Sequence, residues 1–138
     1  MEVLTLALRA VGERANEDTL ALLTEKLHRE DRPYIIAVDF DGTLCENRWP
    51  EIGPENSELI AAVSLLREMG ALIILWTCRE EDDLEAALEW CRQRGLSFDA
   101  VNENCACIIE LFEWNTRKVH ADEYWDDRAV RIYWKGNE

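Results

Sequence analysis

The feature that most constrains the fold is an apolar run that ends in two aspartates. Residues 34–38 read Tyr-Ile-Ile-Ala-Val, and residues 39–44 read Asp-Phe-Asp-Gly-Thr-Leu. A continuous run rich in β-branched residues predicts a strand that is buried on both faces, as in the centre of a parallel sheet. Open α/β sheets bind ligands at the carboxyl edge of their strands. The sequence therefore predicts a functional site at Asp39 and Asp41.

A second apolar run ends in a polar residue in the same way. Residues 72–77 read Leu-Ile-Ile-Leu-Trp-Thr, and Arg79 lies two residues beyond them. The run predicts another buried strand, with the hydroxyl of Thr77 at its carboxyl end. If the two strands are parallel neighbours, Thr77 and Arg79 arrive at the same edge of the sheet as Asp39.

A third transition lies near the C-terminus. Glu-Tyr-Trp at residues 123–125 leads into Asp126 and Asp127, and Lys118 lies shortly upstream. Three parallel strands with these endings would gather three aspartates or more, one hydroxyl and one ammonium group. Phosphoryl transfer uses such a set: a nucleophile, ligands for magnesium, and donors to the phosphate oxygens.

The remaining pattern alternates between helical and extended segments. We predict helices over residues 59–69, 84–91 and 108–112 and strands over 98–101 and 130–134, the last as an edge strand with an alternating pattern. Short links between these segments predict an α/β protein, a Rossmann-like doubly wound parallel sheet flanked by helices.

The first 31 residues precede this core and are predicted to form an N-terminal helical extension, with the catalytic domain over residues 32–138. Apolar residues recur there at helical spacing: Leu4, Leu8 and Val11, then Leu20, Leu23 and Leu27. Such a stripe packs on its own domain in the commoner case. The alternative is self-association of the chain through these helices, as a homo-oligomer.

The composition excludes several classes of protein. The formal net charge of −14 repels polyanions, so non-specific binding of nucleic acid is not expected. No apolar stretch approaches the ~18 residues of a membrane span, and the acidic start at Glu2 does not resemble a signal peptide. Five cysteines, an odd number, predict free thiols in a reducing, cytoplasmic compartment.

With these motifs in place, the chain resembles the haloacid dehalogenase-like superfamily, most of whose members are phosphatases. The family's first motif is Asp-x-Asp-x-Thr after a hydrophobic strand, and Asp39, Asp41 and Thr43 match it. The order and spacing of the motifs agree over roughly residues 33–130. The resemblance is closest to small hydrolase-like proteins that also carry Val-Asn-Glu-Asn, here residues 101–104, and Ala-Asp-x-Tyr-x-Asp-Asp-Arg, here residues 121–128.

The other motifs of the family also have counterparts. Thr77 matches the second motif, a Thr or Ser that closes a hydrophobic strand, and Asp126 with Asp127 matches the acidic pair of the fourth. The third motif is a single basic residue. We assign it to Lys118, with the neighbouring Arg117 as the alternative.

The resemblance implies a role for each of these residues. Asp39 would attack phosphorus to form an aspartyl-phosphate, and Asp41 would act as general acid and base. Mg²⁺ would be the cofactor, held by Asp39, the backbone carbonyl of Asp41, and Asp126. Asp127 would either contribute to the metal site or orient Lys118. The phosphate would be bound by five residues, of which Lys118 also offsets the charge of Asp39: Thr77, Lys118, Arg79, Gly42 and Thr43.

The spacing leaves no room for the cap domain that many members of this family insert. Residues 43–54 and 102–116 are both too short to form one. An uncapped site is open to water, which favours hydrolysis over phosphoryl transfer to a second hydroxyl, so a phosphomutase ranks below a phosphatase. The phosphorylated substrate is either a small molecule or a bulkier one.

Two other classes fit part of the pattern. A receiver domain uses similar residues, but there the acidic pair comes first and the lysine last, whereas here Lys118 precedes Asp126. A non-hydrolytic module of the same fold would bind Mg²⁺ and a phosphate-bearing partner without turnover. It remains the alternative to the phosphatase.

Overall fold

The structure is a computed structural model that describes residues 25–28 and 30–135. Its strands are β1 (Ile35–Val38), β2 (Cys45–Arg48), β3 (Glu51–Glu55), β4 (Leu72–Leu75), β5 (Ala100–Val101) and β6 (Glu123–Trp125). Its helices are α1 (Ser57–Glu68), α2 (Glu81–Gln93) and α3 (Ala106–Phe112).

Four of the strands form one parallel sheet. Their order is β5-β4-β1-β6, so the strand that precedes Asp39 lies between the other two strands of the predicted site. In the register of the sheet, Val38 is opposite both Leu75 of β4 and Trp125 of β6. The protein is therefore an α/β protein with a parallel sheet flanked by helices, as predicted, and the polar residues that follow these strands emerge side by side.

The core lies on both faces of this sheet, because alternate residues of β1 pack in opposite directions. Ile36 and Val38 belong to a cluster that contains the apolar residues of α1 and α2. Ile35 and Ala37 belong to a second cluster with Ile108 of α3. All four β1 side chains are at most 1% exposed. Burial of each of the larger side chains contributes roughly 1.5–3 kcal/mol, so β1 is a firm base for the residues that follow it.

A β-hairpin connects the first motif to α1. Strands β2 and β3 pair in antiparallel fashion through a turn at Trp49 and Pro50. The segment that follows the first motif is therefore a short hairpin, and it contains no cap domain, as the short spacing in the sequence predicted. The later link, residues 102–116, contains the short helix α3.

Two predicted elements need correction. The edge strand at residues 130–134 is wrong: the segment is not part of either sheet, and Val130, Ile132 and Trp134 are about four-fifths exposed. Alternation predicts a strand only where a neighbouring strand supplies hydrogen bonds, and β6 ends at Trp125, before this segment begins. The strand predicted over 98–101 is shorter and begins at Ala100.

The N-terminal extension falls mostly outside the described residues, which leave out residues 1–24 and 29. Residues 25–27 are helical, and Leu27 is buried in the same cluster as Ile36. In the part of the chain that the structure describes, no helix is long and apolar enough to span a membrane.

Candidate functional site

Three carboxylates meet at the carboxyl edge of the sheet. Asp39 follows β1, Asp126 follows β6, and the backbone N–H of Asp39 donates to the carbonyl of Trp125 at 2.9 Å. One carboxylate oxygen from each of Asp39, Asp126 and Asp127 lies within 4.8 Å of the others. The parallel pairing of β1 with β6 thus brings together acids from distant parts of the sequence.

Thr43 connects the two acidic segments. Its buried hydroxyl donates to Oδ2 of Asp39 at 3.4 Å and accepts a hydrogen bond from the backbone N–H of Asp127 at 3.1 Å. Both functions of one hydroxyl are used, since it donates on one side and accepts on the other. Thr43 therefore fixes the turn after β1 against the turn after β6.

Gly42 leaves space for Asp127. A Cβ atom at this position would lie 2.5 Å from Oδ2 and 2.7 Å from Cγ of Asp127, too close for any side chain. The backbone of Gly42 also has φ +89°, in the region that favours glycine. Gly42 thus contributes by lacking a side chain, and this is what lets Asp127 approach the turn of the first motif.

The carboxyl group of Asp39 is difficult to ionise in this cluster. The pKa of Asp39 is raised from 3.8 to about 6, mainly by burial and also by the negative charges of Asp126 and Asp127. Hydrogen bonds from the backbone of Phe40 and from Thr43 act in the opposite direction. Among the described residues, no Lys or Arg forms an ion pair with these three acids.

This set of donors fits a hard divalent cation. All three ligand groups offer carboxylate oxygens, which Mg²⁺ and Ca²⁺ prefer, and none offers the sulfur or imidazole nitrogen typical of zinc sites. A bound cation would also offset the repulsion among the three negative charges. Asp39, Asp126 and Asp127 are therefore the residues that could hold Mg²⁺.

Asp41 and Arg79 form a bidentate ion pair. The guanidinium Nε and Nη2 atoms each lie 2.8 Å from a carboxylate oxygen of Asp41. Other N–H groups of Arg79 donate to the carbonyls of Pro50 and Glu51, and the Arg79 side chain is 1% exposed. The sequence predicted Arg79 as a phosphate ligand. In the structure its donors are directed to Asp41 and to the hairpin.

Thr77 follows the neighbouring strand, β4, which ends at Leu75 and is therefore two residues shorter than the sequence predicted. Its backbone N–H donates to Oδ1 of Asn102 at 2.8 Å, and its hydroxyl oxygen accepts from the backbone N–H of Arg79 at 3.1 Å. The next residue towards β4, Trp76, donates from its backbone N–H to the carbonyl of Val38. Thr77 is therefore held at the same edge of the sheet as Asp39.

Lys118 lies on the loop that leads to β6. Its side chain is exposed, and Nζ is 5.7 Å from the ring centroid of Tyr124, a residue of β6. It makes no ion pair with the acidic cluster in the described ranges, and the same is true of the exposed Arg117. The structure thus places Lys118 beside Tyr124 of β6, without an ion pair to Asp39.

Two asparagines that sequence reasoning gave no role hold this edge together. Asn102, with φ +55°, positions the backbone of Thr77. Asn104 is buried, and its side-chain amide donates to Asn115 and Thr116 and accepts from the backbone N–H of His120 at 2.7 Å. The signal was available in the sequence, because Asn102 directly follows a predicted strand and Asn104 lies two residues beyond it, where polar side chains satisfy backbone groups.

Comparisons with known proteins give one relative. No protein-family model matches the chain, and no match was found among the curated proteins. A solved structure from Bacteroides thetaiotaomicron, described as a conserved protein coded by a locus of that organism, is 44% identical. The match covers 70% of this chain and 77% of that one, with a TM-score of 0.63. This chain belongs to the same family as that conserved Bacteroides thetaiotaomicron protein.

Proposed function

We propose that this protein is a Mg²⁺-dependent phosphatase of the haloacid dehalogenase-like type, which hydrolyses a phosphate monoester through an aspartyl-phosphate on Asp39. The observation that carries the proposal is the approach of Asp39, Asp126 and Asp127 to within 4.8 Å of one another. The edge where they meet is also where α/β sheets bind their ligands. The order of the motifs along the chain adds support, since the four motifs follow one another in the same order as in the haloacid dehalogenase-like superfamily.

The metal would be held by Asp39, Asp126 and Asp127, together with the backbone carbonyl of Asp41. When bound, Mg²⁺ would supply positive charge that stabilises the phosphoryl oxygens and the attacking carboxylate. Its presence would also favour the ionised form of Asp39, whose pKa burial and neighbouring charges otherwise raise.

Hydrolysis of the phosphate monoester would take place in two displacements at phosphorus. In the first, a carboxylate oxygen of Asp39 forms a bond to phosphorus while the bond from phosphorus to the leaving oxygen breaks. In the second, water attacks the aspartyl-phosphate and the new bond to Asp39 breaks, which releases inorganic phosphate. The hydroxyl of Thr77 and the ammonium of Lys118 would bind the phosphoryl oxygens, and Lys118 would move towards the site from its position beside Tyr124.

Asp41 would supply the proton to the leaving oxygen and later take one from water. One observation favours the alternative of a binding module that has the same fold but no turnover. Both carboxylate oxygens of Asp41 are bound by Arg79 at 2.8 Å, and Asp41 must leave at least one of these contacts to donate a proton. A module that binds Mg²⁺ and phosphate would need no such rearrangement.

A comparison of matched variants tests the proposal. Release of phosphate from nitrophenyl phosphate is measured with Mg²⁺, with EDTA, and for Asp39→Asn. The control is Asp82→Asn, an exposed acid in the first turn of α2. We expect Mg²⁺-dependent turnover that EDTA and Asp39→Asn abolish and that Asp82→Asn leaves unchanged.

The two candidate functions predict different failures. Equal turnover by wild type and Asp39→Asn would exclude Asp39 as the nucleophile. An absence of turnover over a panel of sugar phosphates, nucleotides and phosphopeptides, together with Mg²⁺-dependent binding of phosphate by calorimetry, would favour the binding module.

A further inference from the structure

A cavity of about 580 Å³ adjoins the acidic cluster. Its lining includes Asp126 and Asp127 of the cluster and Thr43, whose hydroxyl donates to Asp39. Ligand sites in proteins commonly enclose about 300–1,000 Å³, so the cavity is large enough for an organic group as well as a phosphate. Because it is continuous with the acidic cluster, a molecule with its phosphate at Asp39 has room to extend into it.

The cavity runs along β6, the strand at one edge of the parallel sheet. Leu59 of α1 and Trp125 of β6 form apolar walls, and both belong to the core cluster on that face of the sheet. Ala129 and Val130, in the exposed segment after Asp127, form the outer wall. The site therefore has an apolar inner side that is fixed by the core and an outer side made by exposed residues.

The charges around the cavity are mostly negative. Besides Asp126 and Asp127, it is lined by Asp122 and Glu123, and Arg131 is the one basic residue among its described lining residues. Asp122 is held by an ion pair with Arg32 at 2.8 Å, and Glu123 accepts a hydrogen bond from the hydroxyl of Tyr34 at 2.6 Å. These partners fix the acids in place. A second anionic group in the cavity would meet like charges on fixed side chains.

We propose that this cavity binds the alcohol part of the substrate, and that this part is an aromatic or aliphatic group without a further negative charge. The inference rests on the proposed function and names its substrate class. Uncharged aryl and alkyl phosphate monoesters fit the apolar walls of Leu59 and Trp125. Polyphosphates and phosphorylated acids are disfavoured by Glu123, whose carboxylate lies outside the proposed metal site and has no Lys or Arg ion-pair partner among the described residues.

The test changes the outer wall, where a larger side chain does not disturb the core. Ala129→Trp fills the cavity from an exposed position, and Ala61→Trp is the control, an exposed residue of α1 that does not line it. Phenyl phosphate, naphthyl phosphate and carboxyphenyl phosphate are compared as substrates of the Mg²⁺-loaded protein. We expect Ala129→Trp to raise KM for naphthyl phosphate roughly tenfold more than it raises KM for phenyl phosphate, because it removes space that the larger ring needs most. For wild type, carboxyphenyl phosphate should have a kcat/KM roughly tenfold below that of phenyl phosphate.

Binding is measured separately from turnover. Calorimetry with naphthylmethylphosphonate and with methylphosphonate, neither of which can be hydrolysed, should give tighter binding of the naphthyl compound to wild type and to Ala61→Trp, but not to Ala129→Trp. If nothing is hydrolysed but this preference holds, the phosphatase function fails and the cavity assignment stands. If phosphate esters are hydrolysed while Ala129→Trp and Ala61→Trp behave alike, the cavity assignment is overturned and the phosphatase function stands. Equal use of the charged and uncharged esters would overturn the charge preference.

Discussion

Arg79 donates two hydrogen bonds of 2.8 Å to the carboxylate of Asp41. Its guanidinium group also donates to the backbone carbonyls of Pro50 and Glu51, at the turn of the hairpin. One buried guanidinium thereby joins the first motif, the hairpin and the end of β4. A lysine at this position could not make the same contacts, because an ammonium group has fewer donors than a guanidinium group and cannot bind both carboxylate oxygens of Asp41 in one plane.

Removal of this guanidinium should cost much more stability than removal of an exposed one. Arg79→Ala leaves Asp41 without its partner, and we expect the free energy of unfolding to fall by about 3–5 kcal/mol. The matched control is Arg92→Ala, which breaks the exposed pair with Glu89 and should cost little stability, because solvent screens an exposed ion pair. Urea denaturation of both variants measures the difference. Similar losses for the two would contradict the structural importance of the Arg79 contacts.

Gly42→Ala should weaken metal binding more than it weakens the fold. The added Cβ displaces the carboxylate of Asp127, and we expect the affinity for Mg²⁺, measured by calorimetry, to fall at least roughly tenfold, which is about 1.4 kcal/mol. Gly70→Ala is the control, since Gly70 also has a positive φ, +109°, but open space where its Cβ would lie. Both variants share the backbone strain. If Gly70→Ala lost as much affinity, the displacement of Asp127 would not be the cause.

Asp39→Asn should stabilise the metal-free protein at alkaline pH. The pKa of Asp39 is raised from 3.8 to about 6 in the folded state, so between these values the native state binds more protons than the unfolded state. The contribution of Asp39 to the free energy of unfolding therefore falls as the pH rises from about 4 to 6, and it stays low at higher pH. Asparagine does not ionise and avoids this loss. We expect the Tm of Asp39→Asn to exceed that of wild type by a few degrees at pH 8, because a gain of about 1 kcal/mol in the free energy of unfolding raises the Tm of a domain of this size by that amount.

The same comparison at acidic pH supplies the control. Near pH 4 the carboxyl group of Asp39 is protonated in the folded state, and the advantage of the variant should largely disappear. The measurement is a thermal melt in EDTA over this range, with Asp82→Asn as the exposed counterpart. A gain in Tm that does not change with pH would point to packing rather than charge.

Asn104→Ala should loosen the loop that carries Lys118. The buried amide joins Asn115, Thr116 and His120, and its loss leaves several polar groups without partners. We expect a loss of about 1–3 kcal/mol in the free energy of unfolding, together with faster amide hydrogen exchange over residues 115–120. Asn47→Ala, in the exposed hairpin, should change neither quantity appreciably. Unchanged exchange in Asn104→Ala would show that other contacts hold the loop.

The sheet and its acidic edge were predictable because their signals are local. An uninterrupted apolar run such as residues 34–38 can be buried on both faces only in the middle of a layered sheet, and the polar residues that follow it must emerge at its edge. The approach of Asp39 to Asp126 then follows from parallel pairing, provided that the two strands are neighbours.

Other features depend on contacts that no local pattern encodes. Nothing near Arg79 in the sequence indicates that its guanidinium turns to Asp41, because that choice depends on the position of the hairpin turn. The strand predicted over 130–134 failed for a related reason. Its alternating side chains describe a possible face, but pairing requires a partner strand that the described structure does not supply there.

The short pairing of β1 with β6 has a consequence for the order of assembly. Asp39 precedes Asp126 in the sequence, with the hairpin, α1, β4, α2, β5 and α3 between them, and the strands that carry them are joined across three paired positions of the sheet. A chain that has not yet docked β6 presents Asp39 without its two acidic companions. A divalent ion held by all three acids would thus bind only after β6 has docked on β1, and it would then link these two strands through their carboxyl ends.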